Sequence, residues 1–279
     1  MALPGWWHSE RWPTTSAPVS RVHVALRSET APQSEGFQSS LVRAWPAFVD
    51  CRARLRTLLP FLTATIPLRA RVIDLAAGIG CEAVALAELG YQVTANEINP
   101  ALHRLAARRA QHWTDHLKLR RCDWRHIATE MGGERFGALL LLGNSFCLLP
   151  DEDERRQALC EFVSLCDTDA AFIVDLRNFK YILRARDAIL GGRFRYSGRV
   201  MYCGKRISGH PIAISPDRVT FGYFGEDGLK RGTLDMVPLL VDDLIAACGR
   251  VGFRAVAVFS DLKPGIDESA DFFTCVFRC

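Results

Sequence analysis

The residues best suited to bind a ligand lie in the segment from Asp74 to Gly80, which reads Asp-Leu-Ala-Ala-Gly-Ile-Gly. An apolar run typical of a buried strand leads into it. Glycines at a strand-to-helix turn let the backbone bend sharply and approach a ligand closely. Glu97 follows seventeen positions after Gly80, where a carboxylate can accept both hydroxyls of a ribose. The glycines alone also suit an ordinary tight turn, but with the strand and the acid they predict a nucleoside-containing ligand.

Alternating strands and helices position this segment. Apolar runs predict strands at 71–76, 92–96, 117–121, 138–142 and 171–175, and helices are predicted at 37–63, 80–89, 152–166 and 240–250. The alternation predicts an α/β fold with a doubly wound, mostly parallel, Rossmann-like sheet covered by helices on both faces. Two final strand-like runs, 254–259 and 271–277, predict a C-terminal antiparallel hairpin.

Three regions are predicted along the chain. Residues 1–36 are rich in Pro, Ser and Thr and predict a flexible arm. Three tryptophans in the arm leave open that it packs on the body or on a partner subunit of a homo-oligomer. Residues 37–190 and 237–279 form the main domain. The short segments of 191–236, punctuated by Gly, Pro and Asp, predict a small antiparallel β insertion over the binding site.

Composition limits the class of protein. The net charge is +4, and Lys and Arg are scattered rather than gathered in one patch, which argues against a dedicated nucleic-acid binder. The ten cysteines include no C-x-x-C pair, and several lie in apolar runs, which favours buried free thiols over disulfides or a metal site. No apolar stretch is long enough for a membrane span. We therefore expect a cytoplasmic protein with no metal, no nucleic-acid partner and no membrane contact.

Four segments carry a more specific signal than the glycine turn alone. They read Val-Ile-Asp-Leu-Ala-Ala-Gly-Ile-Gly at 72–80, Leu-Gly-Asn-Ser-Phe at 142–146 with Leu-Pro-Asp at 149–151, Asp-Leu-Arg-Asn-Phe at 175–179 with Ile-Leu at 182–183, and Asp-Leu-Lys-Pro at 261–264. In these segments the chain resembles the glycine N-methyltransferase and glycine/sarcosine N-methyltransferase group of class I methyltransferases. The resemblance implies S-adenosylmethionine as methyl donor, S-adenosylhomocysteine as product, and a small-molecule acceptor.

A different class of nucleoside-binding enzyme also fits the glycine turn. Ala83, three positions after Gly80, satisfies the last position of the dinucleotide fingerprint of NAD-dependent oxidoreductases. Against an oxidoreductase stand the polar–aromatic pair Asp123 and Trp124 after the third strand, the segment 143–146 after the fourth, and the C-terminal strand pair. The sequence also leaves open a nucleic-acid methyltransferase and a non-catalytic regulator that keeps the cofactor site.

The resemblance implies cofactor-binding roles for matching positions. Arg52 would hold the methionine carboxylate, and Glu97 would bind the ribose hydroxyls. The other implied positions are Ala76 and Gly78 at the methionyl group and ribose, Ile98 beside Glu97, Asp123 and Trp124 around adenine, and the backbones of Leu142 and Gly143. An exposed helix arginine is the alternative for Arg52, and a core residue is the alternative for Trp124.

The resemblance also implies how the methyl acceptor is held. Asn144 and Arg177 would grip the acceptor's carboxylate, and Tyr202 would be an active-site tyrosine in the β insertion. A guanidinium matches a carboxylate with two parallel N–H bonds. An ion pair with Asp175 is the alternative for Arg177, and sheet packing is the alternative for Tyr202. We expect methylation on the nitrogen of an amino-acid-like or other carboxylate-bearing metabolite.

One departure from the family affects the acceptor. Met236, Val237 and Pro238 stand where the family often has Tyr-Tyr-Pro. This predicts a more apolar acceptor pocket than one built for glycine. C- or O-methylation of a larger natural-product intermediate is therefore the alternative function.

Overall fold

The computed structural model describes residues 39–193 and 206–279. The strands are β1 (Arg71–Asp74), β2 (Gln92–Asn96), β3 (Leu117–Arg120), β4 (Phe136–Leu141), β5 (Cys166–Arg177), β6 (Ile207–Ile214), β7 (Val219–Gly225), β8 (Lys230–Met236), β9 (Arg254–Ser260), β10 (Lys263–Pro264) and β11 (Phe272–Arg278). The α-helices are α1 (Ser39–Phe48), α2 (Cys51–Thr65), α3 (Cys81–Glu88), α4 (Pro100–Ala110), α5 (Ile127–Glu130), α6 (Glu152–Ser164), α7 (Phe179–Arg184), α8 (Arg186–Leu190) and α9 (Val241–Arg250).

An eight-stranded sheet has the strand order β10-β9-β11-β5-β4-β1-β2-β3. Strands β1 to β5 run parallel, and β9, β10 and β11 close one edge in antiparallel pairing. From β1 the chain proceeds to β2 on one side and later to β4 on the other. The carboxyl ends of β1 and β4 therefore flank the crevice in which open α/β sheets bind ligands. The predicted fold class is confirmed, including the C-terminal antiparallel strands.

The centre of this sheet is the rigid support of the site. In β4 every residue from Ala138 to Leu141 is fully buried, and in β5 burial is continuous from Ala170 to Arg177. Such strands lack the alternation of a half-exposed sheet because helices cover both faces of a parallel sheet. The loops that follow β4 and β5 therefore start from the carboxyl ends of two firmly packed strands.

The helical segment predicted over 37–63 is two helices in the structure. Helix α1 ends at Phe48, and α2 starts at Cys51. Asp50 caps α2 because its carboxylate accepts a bond from the N–H of Ala53 at 3.0 Å. The break gives the two helices different neighbours: α1 packs on β6 and β8, whereas α2 packs on α3.

The second sheet is antiparallel and has the order β6-β7-β8. Alternate residues of β7, including Val219, Phe221 and Tyr223, are buried, as expected for a sheet with one covered face. This is the small antiparallel insertion predicted from the sequence. The domain bounds stay a prediction, since the arm of 1–36 and the first part of the insertion fall outside the described residues.

Candidate active site

A cavity lies at the carboxyl ends of β1, β2 and β4. Seven of the residues predicted to bind the cofactor line it: Ala76, Gly78, Glu97, Ile98, Trp124, Leu142 and Gly143. Two predicted residues, Arg52 and Asp123, are not in its wall. The wall also contains Trp45, Arg54 and Glu82, which sequence reasoning did not assign to the site. The cavity wall thus combines apolar surface with the carboxyl groups of Glu82 and Glu97 and the guanidinium of Arg54.

The glycine turn has backbone geometry that other residues rarely adopt. Gly78 and Gly80 have φ angles of +55° and +83°, which is the left-handed region that glycine tolerates. A Cβ on Gly80 would also come within 3.3 Å of the Cβ of Ala106 in α4. The turn is closed by a hydrogen bond from the Gly80 N–H to the Ala77 carbonyl at 2.7 Å. The N–H groups of both glycines are bonded within the protein, to Glu97 and to Ala77, so the turn is fixed where it borders the cavity at the start of α3.

Glu97 is fixed in the cavity wall by two backbone donors. Its side-chain oxygens accept bonds from the N–H of Gly78 at 2.9 Å and of Asn99 at 2.7 Å. Burial raises the pKa of this carboxyl to about 7, against the opposing effect of those two bonds. The carboxylate keeps lone pairs for further donors because each oxygen can accept more than one bond.

Arg54, rather than Arg52, reaches the cavity from α2. The Arg52 side chain is exposed, whereas Arg54 is buried and pairs with Glu82 of α3. Burial raises the pKa of the carboxyls of Asp74 and Asp175, and the charge on Arg54 opposes this shift at both. Arg54 is therefore a structurally anchored cation beside the glycine turn.

Of the adjacent residues Asp123 and Trp124, only the tryptophan contacts the cavity. The Trp124 Nε1 donates to the Leu75 carbonyl at 2.6 Å, which fixes the indole against the end of β1. The Asp123 carboxylate instead binds Arg125 at 2.6 Å, and this contact lowers the pKa of Asp123 although burial opposes it. Asp123 caps the turn in which Trp124 lies.

The loop after β4 is tied to the end of β5. The N–H groups of Gly143 and Asn144 donate to the Asp175 carboxylate at 3.0 and 2.5 Å. Gly143 and Asn144 both have positive φ, +79° and +59°, so the chain turns back sharply after Leu142. Asp175 therefore holds the loop that carries Asn144 close to the strand that carries Arg177.

Asn144 and Arg177 are neighbours in the structure, and their joint role in holding the acceptor stays a prediction. The Asn144 Oδ1 accepts from the Arg177 backbone N–H at 2.8 Å, and its Nδ2 lies 3.1 Å from the Met236 sulfur. The Arg177 guanidinium lies over the rings of Phe221 and Phe272, 4.3 and 4.9 Å from their centroids. A cation between aromatic faces is held by both packing and the ring quadrupoles.

Tyr223 is a third aromatic residue near Arg177, and sequence reasoning missed it. It is buried in β7, and burial raises the pKa of its hydroxyl to about 12, although the charge of Arg177 and a hydrogen bond with it oppose the shift. The hydroxyl therefore stays neutral at physiological pH. Tyr202, the tyrosine predicted for the site, lies outside the described residues.

Trp45 links the cavity to the small sheet. It lines the cavity from α1, and its ring lies 5.1 Å from that of Phe48 and 5.8 Å from that of Tyr223. These aromatic residues form a continuous contact from the cavity to the surroundings of Arg177. In the sequence Trp45 appeared only as one apolar position of a helix.

Cysteine pairing differs from the expectation of free thiols. Cys51 at the start of α2 and Cys81 at the start of α3 form a disulfide, with their Cα atoms 5.4 Å apart. The prediction was wrong for this pair, because the fold places two helix starts side by side that are far apart in sequence. Five other cysteines are buried and free: Cys122, Cys147, Cys166, Cys248 and Cys275.

Reduction of this bridge should lower stability. It joins residues thirty positions apart, and cross-links of such loops contribute about 2–4 kcal/mol. We expect Cys51→Ser to lower the free energy of unfolding by that amount, and Cys160→Ser, at an exposed free cysteine, to leave it unchanged. Alkylation of the denatured chain should label two more cysteines after reduction than before. Equal labelling in both cases would show that the two thiols are not bridged.

No cluster of three His, Cys, Asp or Glu side chains that could hold a metal occurs in residues 39–193 and 206–279. In the same ranges, no helix is long and apolar enough to cross a membrane.

Comparison with known proteins shows which enzymes the chain is similar to. No protein-family model matches the chain. The glycine/sarcosine N-methyltransferase of Halorhodospira halochloris is 28% identical over 88% of this chain and 89% of its own length. The enzyme of the same name from Aphanothece halophytica is 29% identical over 91% of this chain and 94% of its own. The resemblance found in the sequence is confirmed.

The fold agrees with solved structures as well. The crystal structure of an S-adenosylmethionine-dependent methyltransferase from Clostridium acetobutylicum superposes with a TM-score of 0.63 at 12% identity. The match covers 84% of this chain and 93% of that one.

Proposed function

We propose that this chain, an S-adenosylmethionine-dependent methyltransferase, transfers the methyl group to the amine nitrogen of a small acceptor that bears a carboxylate. The observation that carries the proposal is the Arg177 guanidinium, which is held between aromatic rings at the end of β5 and joined to the loop after β4 through Asn144. The relatives are glycine/sarcosine N-methyltransferases. Glycine and sarcosine each carry both an amine and a carboxylate.

The cavity wall suits the cofactor's separate chemical groups. Glu97 offers a buried carboxylate for the ribose hydroxyls, and Arg54 offers a cation for the methionine carboxylate. Trp124 supplies a flat apolar surface for adenine, and the loop of Leu142 and Gly143 supplies backbone groups. When bound, the cofactor supplies an electrophilic methyl group on a positively charged sulfur.

The protein's contribution to the reaction is mainly positional. The acceptor nitrogen must be neutral and must face the methyl carbon along the line of the bond that breaks. Arg177 would bind the acceptor carboxylate and Asn144 would fix its approach, and orientation of this kind accounts for up to about 7–11 kcal/mol of barrier lowering. We assign no general base, so the amine would have to lose its proton before it reaches the methyl group.

Cofactor affinity should depend on pH through Glu97. The pKa of its carboxyl is about 7 because of burial, and only the ionised form accepts both ribose hydroxyls. Protonation therefore competes with binding below pH 7, so the Kd for S-adenosylhomocysteine should be about tenfold higher at pH 6 than at pH 8. Isothermal titration calorimetry at both pH values measures this directly.

Two variants separate Glu97 from other sources of pH dependence. Glu97→Gln should bind about 10-fold or more weakly at pH 8, because it loses a charged acceptor, and its Kd should not change with pH. Asp123→Asn should match the unsubstituted chain, since the Asp123 carboxylate is bonded to Arg125 outside the cavity wall. A Glu97→Gln variant with unchanged affinity would remove Glu97 from the cofactor site.

The proposed function is tested with matched pairs of acceptors. Each α-amino acid, including sarcosine, is compared with the amine that lacks its carboxylate, such as glycine with methylamine and leucine with 3-methylbutylamine. Formation of S-adenosylhomocysteine is measured. We expect turnover of at least one amino acid and little or none of its decarboxylated partner. Equal turnover of both members of a pair, or turnover of no amino acid, would contradict the proposal.

C- or O-methylation of a larger apolar acceptor is the competing function. It is favoured by the apolar side chains of Met236 and Val237. The Met236 sulfur contacts Asn144, and the Val237 N–H donates to the Cys147 carbonyl at 2.9 Å.

Three further expectations stay predictions. They are a cytosolic location, the absence of a nucleic-acid partner, and assembly into a homo-oligomer.

A further inference from the structure

The Cys51–Cys81 disulfide lies at the wall of the cavity. Cys81 lines the cavity, whereas Cys51 lies outside its wall. Cys81 is the first residue of α3, directly after the glycine turn, and Cys51 is the first residue of α2. The bond therefore joins the glycine turn to the helix that brings Arg54 to the cavity.

An ion pair connects the same two helices beside the bridge. Arg54 lies three positions after Cys51 on α2 and pairs with Glu82 of α3. Glu82 directly follows Cys81. Positions three apart lie on one face of a helix, so the bridge and the ion pair face the same neighbour. Both members of the ion pair line the cavity, so the position of the Arg54 cation depends on how closely α2 is held to α3.

The bridge also lies at the joint between α1 and α2. Only Val49 and Asp50 separate the end of α1 from Cys51. Trp45 of α1 and Val49 of the joint both line the cavity. The bridge thus ties the segment that carries Trp45, Val49 and Arg54 covalently to the glycine turn.

One sulfur of the bridge is open to an external thiol. Cys51 is half-buried, whereas Cys81 is buried, so a dithiol reductant would attack the Cys51 sulfur. The bond between the two cysteines then breaks, and Cys81 leaves as a thiolate at the start of α3, where a helix favours negative charge. The second thiol of the reductant displaces Cys51. The reductant ends as a disulfide, and its two protons end on the two cysteine thiols.

We propose that this bridge is a redox switch of cofactor affinity, in which reduction by a dithiol weakens the binding of S-adenosylmethionine and S-adenosylhomocysteine. The inference rests on the proposed placement of the cofactor in the cavity. Without the bridge, the segment from α1 to the start of α2 gains conformations in which Trp45 and Arg54 leave the glycine turn. The apparent affinity falls by the fraction of molecules that leave the binding-competent state.

The predicted cytoplasmic location agrees with such a role. Cytosolic disulfides are mostly transient, and they act in catalysis or redox sensing rather than as permanent cross-links.

Cofactor binding and reduction must oppose each other by the same factor. If reduction raises the Kd about tenfold, saturating cofactor must make the bridge about tenfold harder to reduce, which is about 30 mV for a two-electron couple. A bridge that only stabilises the folded chain against unfolding would show neither effect. This reciprocity separates a switch from a structural cross-link.

The first measurement is the Kd for S-adenosylhomocysteine, by titration calorimetry of the folded chain before and after treatment with dithiothreitol. We expect the Kd to rise about tenfold on reduction and to return on reoxidation. Cys51→Ser, at a position outside the cavity wall, should bind as weakly as the reduced chain and should not respond to dithiothreitol. Cys160→Ser, at an exposed free cysteine, is the matched control and should respond like the unsubstituted chain.

The second measurement is the reduction of the bridge itself. The chain is equilibrated in dithiothreitol redox buffers with and without S-adenosylhomocysteine, and the Cys51 and Cys81 thiols are alkylated and counted by mass spectrometry. We expect the cofactor product to shift the midpoint by the factor found in the calorimetry.

The outcomes separate the switch from the cofactor site. Equal or tighter binding after reduction, or a midpoint that S-adenosylhomocysteine does not shift, would overturn the switch and leave the cofactor site standing. A response to dithiothreitol that persists in Cys51→Ser would assign the effect to another cysteine and would also overturn it. Binding in neither redox state would mean that the cofactor site itself is wrong. Should Cys51→Ser not fold, reversible reduction of the unsubstituted chain decides.

Discussion

Replacement of Arg177 by alanine should lower kcat/KM for the accepted amino acid by about 100-fold or more. The physical reason is the loss of two charged hydrogen bonds to the carboxylate, worth roughly 3 kcal/mol. Arg177→Lys should not restore activity, because an ammonium lacks the planar fork of donors. Steady-state kinetics with saturating S-adenosylmethionine provides the measurement.

Two controls distinguish recognition from loss of structure. Arg177 lies between Phe221 and Phe272, so its removal also loosens packing. The Kd for S-adenosylhomocysteine and the Tm of the variant report on that effect, and we expect the Kd to change little. Arg184→Ala, at an exposed arginine of α7, should keep nearly full activity. An acceptor turned over equally well with and without the Arg177 guanidinium would mean that no carboxylate is recognised there.

Replacement of Arg54 should affect both stability and cofactor binding. Arg54→Ala leaves the Glu82 carboxylate buried without its ion-pair partner, and breaking a buried pair in this way costs about 3–5 kcal/mol. The cofactor would also lose the cation opposite its methionine carboxylate, which should weaken binding by about 10-fold or more. Urea unfolding gives the first quantity and titration calorimetry gives the second.

The chain supplies a matched control on the same helix. Arg52→Ala removes an exposed arginine two positions away and should change neither quantity. The double variant Arg54→Ala with Glu82→Gln should regain part of the lost stability, since it removes the buried charge, but it should not regain cofactor affinity. If Arg52→Ala weakens cofactor binding and Arg54→Ala does not, the assignment of the carboxylate-binding residue must be reversed.

The sequence predicts the parts of the site that strand ends determine. Apolar runs locate the ends of β1, β2, β4 and β5, and the residues just after them in a parallel sheet face one crevice. Gly78, Glu97 and Gly143 can therefore be placed in the cavity wall from the sequence alone, whereas Arg177 lies at the end of β5 outside that wall. The glycine turn also carries its own signal, because positive φ angles favour glycine.

Residues on helices were harder to predict because their rotation about the helix axis decides what they face. Arg52 and Arg54 are separated by about 200° around α2, so the face of the helix that packs inward decides which of them is buried. One signal was present in the sequence: Arg54, Leu58 and Leu62 recur every four positions and form the buried stripe of α2. Trp45 was missed because the break between α1 and α2 depends on the small sheet against which α1 packs.

Contacts between side chains far apart in the sequence also could not be predicted from one sequence. The Cys51–Cys81 bridge and the Arg54–Glu82 pair join α2 to α3, and neither follows from local pattern. Asp123 was predicted at adenine, yet its carboxylate binds Arg125, two residues away. In each case the outcome depends on which neighbour competes for the side chain in the folded protein.

The most direct test of the proposed chemistry is the position of a labelled methyl group. The full chain is incubated with S-adenosylmethionine carrying a ¹³C methyl and with the amino acid that gives the highest turnover, and the product is examined by NMR and mass spectrometry. We expect the label on nitrogen, with one S-adenosylhomocysteine formed for each methyl transferred. A label on carbon or oxygen, or S-adenosylhomocysteine formed without a methylated amino acid, would contradict N-methylation of a carboxylate-bearing amine.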